Sequence, residues 1–344
     1  MHARRALRPL AYTILAAGLL AALTPGCRPA GDGRASGVAD PIAEWRERWA
    51  REAEPDSDAP GAPGEVIAAI SASRERLVAG DEAGARELLD QAAQASGRDA
   101  AALALLGESY LDIDPMRGQQ LLRDAIKLDP GKPAYRTALA ESLEETGQSE
   151  AALAELSAGV EAIPDSRDLR LDCATALIRA GDAEAAERVL TEPADLWRDL
   201  PAQTWDRVTA AEPGSGPDGL SGARRLIDQA LGQLAQRHRL LASAAVLKGD
   251  LERATEEYRL SVEARRNGAA QLRLADLRVA LGEEEEAKQA YLALAPRQAR
   301  LARGRLERWD EVGFAAFSAE MKQFITAHPQ EYTTISTPPE WETP

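Results

Sequence analysis

Apolar residues recur at three- and four-residue spacing through most of the chain after residue 66, in short stretches divided by glycine-bearing polar turns. That spacing predicts amphipathic helices. Two stretches share one frame. The first reads Leu139-Ala140, Leu143, Gly147, Ala152, Leu156 and Pro164; the second reads Cys173-Ala174, Leu177, Gly181, Ala186 and Leu190. Gly147 and Gly181 lie 34 residues apart, so each frame predicts a helix, a glycine turn and a second helix.

Further copies flank these two. Leu103, Leu106-Gly107, Tyr110, Leu122, Ala125 and Pro130 form one that is a residue short at its turn, and Gly80-Asp81 with Ala85, Leu89 and Ala92 forms an earlier one. Gly249-Asp250 with Ala254 and Tyr258, then Gly282 with Ala287 and Tyr291, continue the phase downstream. Gly181 and Gly249 are 68 residues apart, two periods, and Gly214-Ser215-Gly216 stands where the intervening turn falls. That copy, over about 197–232, is degenerate: its turn is expanded into Ala211–Gly222, after which Ala223, Leu226, Ile227, Ala230, Leu231 and Leu234 keep a helical stripe.

Small residues where two helices touch, larger apolar ones between pairs and a glycine turn every 34 residues resemble the tetratricopeptide repeat. The resemblance implies an all-α fold, a right-handed α-solenoid of about six helix-turn-helix repeats over residues 66–296. Each pair buries little alone and depends on its neighbours. After Pro296, residues Trp309, Val312, Gly313, Phe317, Met321 and Phe324 line one side of a helix expected to end near His328. Residues 297–328 are therefore read as a helical cap over the last pair, with Phe317 and Phe324 as an alternative aromatic contact for a partner. Residues 329–344, with Thr337-Pro338-Pro339, are expected to be an extended tail.

The beginning of the chain reads as an address. Arg4, Arg5 and Arg8 precede the apolar run Leu10–Leu23, and Thr24-Pro25-Gly26-Cys27 follows, so residues 1–26 have the organisation of a secretory signal. Gly26-Cys27 resembles the bacterial lipobox, although Thr24 stands where that motif favours an aliphatic residue. The resemblance implies cleavage before Cys27 and its acylation, which ties the chain to a lipid bilayer. An ordinary cleaved signal and an uncleaved anchor are the alternatives, and all three send the remainder outward. Arg28 rather than Asp follows the cysteine, which points to the periplasmic side of the outer membrane. Residues 27–65 are read as a flexible tether, interrupted by a short helix at about 41–53 with Asp40 as N-cap and Pro41 at its first position. Trp45 and Trp49 share one face of it, available to the membrane interface or a partner, or packed back on the repeats.

Charge narrows the partners. The formal net charge is -15, and removal of residues 1–26 takes away three arginines, leaving 38 basic against 56 acidic side chains. Such a surface repels phosphate backbones, so nucleic acid is not an expected partner. Cys27 and Cys173 are the two cysteines; they stand in different settings, so no disulfide is expected, and Cys173 falls on an apolar frame position. His238 and His328 lie ninety residues apart without ligand spacing around either, so no metal site is expected. No Gly-rich phosphate loop, Gly-x-Ser-x-Gly or His-Glu-x-x-His occurs, which argues against an enzyme and against a cofactor.

In the family that the repeats resemble, the first helices of successive pairs line a concave groove that holds peptides or partner segments. By frame position, Glu108, Asp112, Glu141, Glu144 and Glu145 face it here, with Thr137 and Thr175 nearby and Arg179 interrupting the acids. This resembles a groove for a cationic or amide-rich ligand; an ordinary solvated acidic face is the alternative. The expected function is that of a membrane-anchored scaffold binding protein or peptide partners in the cell envelope. A structural spacer, its groove filled by its own tail or unused, and a carrier or regulator of a small ligand or substrate peptide are the other readings.

Overall fold

The five glycines that mark the period each end a helix. A computed structural model describes residues 63–198, 204, 216–294 and 296–334. The leader, Cys27, Trp45, Trp49 and the tail beyond residue 334 lie outside the described residues. Among the described residues the elements are all helical: α1 (Pro63–Val78), α2 (Glu82–Ser96), α3 (Ala100–Tyr110), α4 (Pro115–Leu128), α5 (Pro133–Glu145), α6 (Ser149–Ala162), α7 (Arg167–Ala180), α8 (Ala183–Thr191), α9 (Ala194–Arg198), α10 (Gly216–Leu247), α11 (Leu251–Ala264), α12 (Gly268–Ala280), α13 (Glu284–Leu292), α14 (Pro296–Val312), α15 (Phe314–Ala327) and α16 (Pro329–Thr334). The first of these begins at Pro63, inside the stretch read as tether. Among the described residues no helix is long and apolar enough to cross a membrane.

The hairpin turns follow from local chemistry. Gly80, Gly147, Gly181, Gly249 and Gly282 all have φ between 76° and 82°, a left-handed conformation that a Cβ disfavours. At each, the following residue's N–H reaches back six positions inclusive, as Asp182 N–H does to Leu177 O at 2.9 Å, closing a helix-terminating motif. Where aspartate follows the glycine it also caps the next helix: Asp81, Asp182 and Asp250 accept from Gly84, Ala185 and Arg253 N–H at 2.9, 2.9 and 3.1 Å. The copy that is one residue short uses Asp114-Pro115 instead, with Asp114 accepting from Arg117 N–H and proline opening α4.

Within each pair the second helix presents a small residue to the first. Ala85, Ala152, Ala186, Ala254 and Ala287 have no exposed surface. Gly118 takes this place in α4, where an added Cβ would stand 2.6 Å from Gly107 O of α3, so the two backbones cross more closely than alanine permits. Larger residues fill the spaces between pairs: Leu89, Leu122, Leu139, Leu169 and Leu190 are fully buried. Burial also raises the pKa of the Cys173 thiol, whose Sγ meets Ser157 Oγ. This is the packing role that its frame position implied.

Among the described residues six helix pairs stack as an all-α solenoid. α1–α2, α3–α4, α5–α6 and α7–α8 follow one another, and the C-terminal half of α10 pairs with α11 before α12–α13. α10 runs without a turn from Gly216 to Leu247 and packs on both α7 and α8. Arg237 donates to Leu190 O of α8 at 2.9 Å and Gln233 to Asp168 of α7 at 2.8 Å. Lys248 and Arg253 both pair with Glu187 of α8, and Arg253 above all holds that carboxyl below the usual range. Thus the pair α10–α11 stacks directly on α7–α8.

The C-terminal region differs from the expected single helix. Gly313, at φ 82°, divides it into α14 and α15. α14 packs on α12 and α13, covering the last pair, and α15 turns back across α12. Of the residues after His328, expected to be extended, 329–334 form the short helix α16, which packs on α15, α10 and α7. Its Tyr332 is buried, and this tertiary burial outweighs a local sequence that favours an open tail.

α14 is fixed by a buried ion pair. Asp276 on α12 and Arg305 on α14 are 0% and 1% exposed; Arg305 Nε and Nη2 donate to the two carboxylate oxygens at 2.6 and 2.8 Å. Tyr291 Oη donates to Asp276 Oδ1 at 2.7 Å, and burial beside that carboxylate raises the tyrosine's pKa well above its ordinary value. Two buried charges cost desolvation that their bidentate contact, with the Tyr291 hydrogen bond, offsets, so the pair must stay intact once formed.

Urea unfolding midpoints test the packing and the ion pair. Ala152→Leu is expected to destabilise by about 1–3 kcal/mol through overpacking, and Leu156→Ala by about 2–5 kcal/mol through a cavity. Asp276→Asn is expected to cost about 3–5 kcal/mol by stranding Arg305, whereas Asp276→Leu combined with Arg305→Met should recover most of that loss.

Candidate functional site

The first helices of the pairs form one layer: α1 contacts α3, α5 contacts α7, and α7 contacts α10. Registering the frames places the sequence-predicted residues in columns across this layer. Glu108, Glu141 and Thr175 occupy one column, and Asp112, Glu145 and Arg179 another. Asp112, Glu141, Glu145 and Arg179 are exposed, whereas Glu108, Thr137, Glu144 and Thr175 are half-buried.

The structure joins some of these residues and separates others. Arg179 of α7 forms an ion pair with Glu144 of α5, so the basic interruption neutralises one of the acids beside it. Thr137 Oγ1 donates to Asp172 Oδ2 at 2.9 Å, a second bridge from α5 to α7. Thr175 turns inward on its own helix, donating to Leu171 O at 2.7 Å. Asp172 was not among the predicted residues. It stands one position before Cys173, where the two upstream copies carry Ala138 and Leu105, so the column itself gave no polar signal.

Farther along the same layer the face is occupied by the chain itself. Ser318 of α15 donates to Val279 O at 2.7 Å, and Phe317, Met321 and Ile325 are buried against the α12 core. Phe317, considered as a partner contact, is therefore corrected to a core residue with no exposed surface. Phe324 is half-buried at the edge of that core, its ring 6.3 Å from that of Tyr332. Beyond it, Gln330 Nε2 of α16 donates to Ile178 O and Arg179 O at the end of α7, each at 2.7 Å. Tyr332 lies under the Arg273 guanidinium, 4.2 Å from ring centre to Cζ, and its hydroxyl donates to Arg273 O at 3.2 Å. Burial, with Asp276 near, raises the Tyr332 pKa well above the ordinary range, so the phenol stays neutral. Sequence reasoning missed Gln330, Tyr332 and Arg273, because nothing local to Pro329–Thr334 says which surface it meets.

The layer thus has two parts. Over α3, α5 and the start of α7 it presents exposed carboxylates above a packed apolar floor; over α12, α10 and the end of α7 it carries α15 and α16. Such a surface offers hydrogen-bond acceptors and negative charge to an elongated ligand. Among the described residues no group of three His, Cys, Asp or Glu side chains could hold a metal ion.

No protein-family model matches the chain, and no curated protein matches it. Solved structures do. A tetratricopeptide repeat protein from Parabacteroides merdae is 14% identical over 79% of this chain and 99% of its own, with a TM-score of 0.45. The crystal structure of the MamA protein matches at 14% identity over 60% of this chain and 96% of that one, with a TM-score of 0.39. A Thermobaculum terrenum O-GlcNAc transferase mutant is 25% identical over 40% of this chain, with a TM-score of 0.29; the chain spans 26% of that protein's length. The helix-pair assignment rests on the chain's own period and packing.

The contact of Arg179 with Glu144 is expected to be dispensable for the stack. Arg179 and Glu144 side chains are 57% and 29% exposed, so their pair is screened by solvent. Glu144→Gln is expected to shift stability by less than about 1 kcal/mol, measured as the urea midpoint; a larger loss would show that the contact is structural.

Proposed function

We propose that this chain is a membrane-anchored scaffold that holds protein or peptide segments on its first-helix face in a bacterial cell envelope. One observation carries the reading: the stacked first helices and the turn after α3 expose Glu141, and Asp112 and Glu145 in one column, on an apolar framework. A repeated surface of this kind suits an extended or helical segment, because successive repeats contact successive stretches of it. The acidic columns favour segments that carry lysine, arginine or side-chain amides. The anchoring half of the proposal is supported by the leader Arg4–Leu23 and by Cys27. Acyl chains on that cysteine would hold the chain at the bilayer, at roughly 0.8 kcal/mol for each buried methylene.

A structural spacer is the second reading, and a specific observation favours it: α15 and α16 already cover the downstream part of the face. Photocrosslinking in whole cells separates the two. A photoreactive residue at Glu141 is expected to yield discrete adducts with a protein partner, weakened by Glu144→Arg. Absence of any adduct there, with crosslinking competence confirmed on the purified chain, supports the spacer. Cys27→Ser is expected to move the chain from the membrane fraction to the soluble fraction; retention of the wild-type chain in the cytosol would overturn the envelope role.

A further inference from the structure

The contacts of α16 have the form of a bound ligand rather than of a repeat. Its own helix is six residues long, too short to persist undocked. Gln330 donates its amide to two carbonyls of α7, 152 and 151 residues away: Ile178 O, which also accepts from Gly181 N–H at 3.0 Å, and Arg179 O in the last turn, where helix carbonyls lack intrahelical donors. Tyr332 fills a site on α12 between the Arg273 guanidinium and the core, donating to Arg273 O. By contrast α15 is secured independently, by Phe317, Met321, Ile325 and the Ser318 hydrogen bond. His328 is the one residue of chain between the two helices, and the Phe324 and Tyr332 rings meet across that link.

We propose that α16 is an intramolecular ligand of the surface formed by α7, α10 and α12, and that a partner segment carrying a side-chain carboxamide two residues before a tyrosine competes with it for that surface. This rests on the first-helix face being a segment-binding surface and names the chemistry of its downstream end. When α16 leaves, the Arg179 carbonyl, the second acceptor position of Ile178 O and the Arg273 face become available together, and α15 keeps its Phe317, Met321, Ile325 and Ser318 contacts. The spacing of the two anchors then selects the competitor: an amide that caps α7 and a ring that enters beneath Arg273. Release is a local opening rather than unfolding, because the ion pair of Asp276 with Arg305 and the Ser318 hydrogen bond do not involve α16, and α15 loses only the edge contact of Phe324 with Tyr332.

Hydrogen exchange on the full chain tests the release, and a synthetic peptide of residues 326–334 tests the competition. The amides of α16 are expected to exchange on the order of a hundredfold faster than those of α12, although Tyr332 is as buried as the α12 core. The peptide is expected to bind the Tyr332→Ala chain at least about tenfold more tightly than the wild-type chain, and to lose that binding on addition of Arg273→Ala. Exchange of α16 in step with α12 overturns the proposal, and so does equal peptide affinity for the wild-type and Tyr332→Ala chains. Should Tyr332→Ala fail to fold, the exchange rates of the wild-type chain decide. Partner adducts at Glu141 with no separate opening of α16 would sink this inference alone. Fast α16 exchange with peptide binding but no adducts at Glu141 would sink the scaffold reading for the upstream face and leave α16 as an exchangeable ligand of its own surface.

Discussion

The close crossing of two helices at one small residue governs this structure. At Ala85, Gly118, Ala152, Ala186, Ala254 and Ala287 the second helix of a pair comes near enough to the first that a larger side chain has no room. That contact fixes the angle within a pair, and the left-handed glycines fix where the chain reverses. With both set, the larger residues on the outer sides of each pair can be satisfied only by another pair, so stacking follows from the pairing. The surface that stacking generates is a by-product of the same geometry: every first helix faces the same way, and its exposed positions recur in columns.

One continuous layer carries two chemistries. Upstream, charged side chains on α3, α5 and α7 partly satisfy one another, through Arg179 with Glu144 and Thr137 with Asp172, and leave other carboxylates at the surface. Downstream, α12 and α10 receive aromatic and apolar side chains of α15 and α16. The change occurs on α7, whose Asp172 and Arg179 side chains join the first region and whose terminal carbonyls receive Gln330. A single helix therefore borders both the open and the occupied parts of the face.

How much was legible in the sequence follows from how local each signal is. Gly181-Asp182 states its own structure, since glycine tolerates the left-handed turn and aspartate caps the next helix within three residues. The frames around Leu139 and Cys173 likewise needed only spacing. Gly313 was read as part of a helical stripe, yet it is the break that sends α15 back across α12. Tyr332 and Arg305 could not be placed at all, because their partners, Arg273 and Asp276, lie 59 and 29 residues earlier and no local rule links them. Of the site, the acidic columns were legible from phase, but the pairing of Arg179 with Glu144 is a contact between repeats that phase alone does not choose.

Whether the C-terminal arm returns to the end of α7 is the point on which the division of the face stands. A spin-label pair at Ala180→Cys and His328→Cys measures it directly, since His328 stands two residues before Gln330 and Ala180 directly follows the carbonyl that Gln330 holds. The account predicts a dominant, narrow, short-distance population for this pair in the full chain. A broad distribution of long distances would contradict it and return residues 329–334 to the extended tail that their sequence suggested.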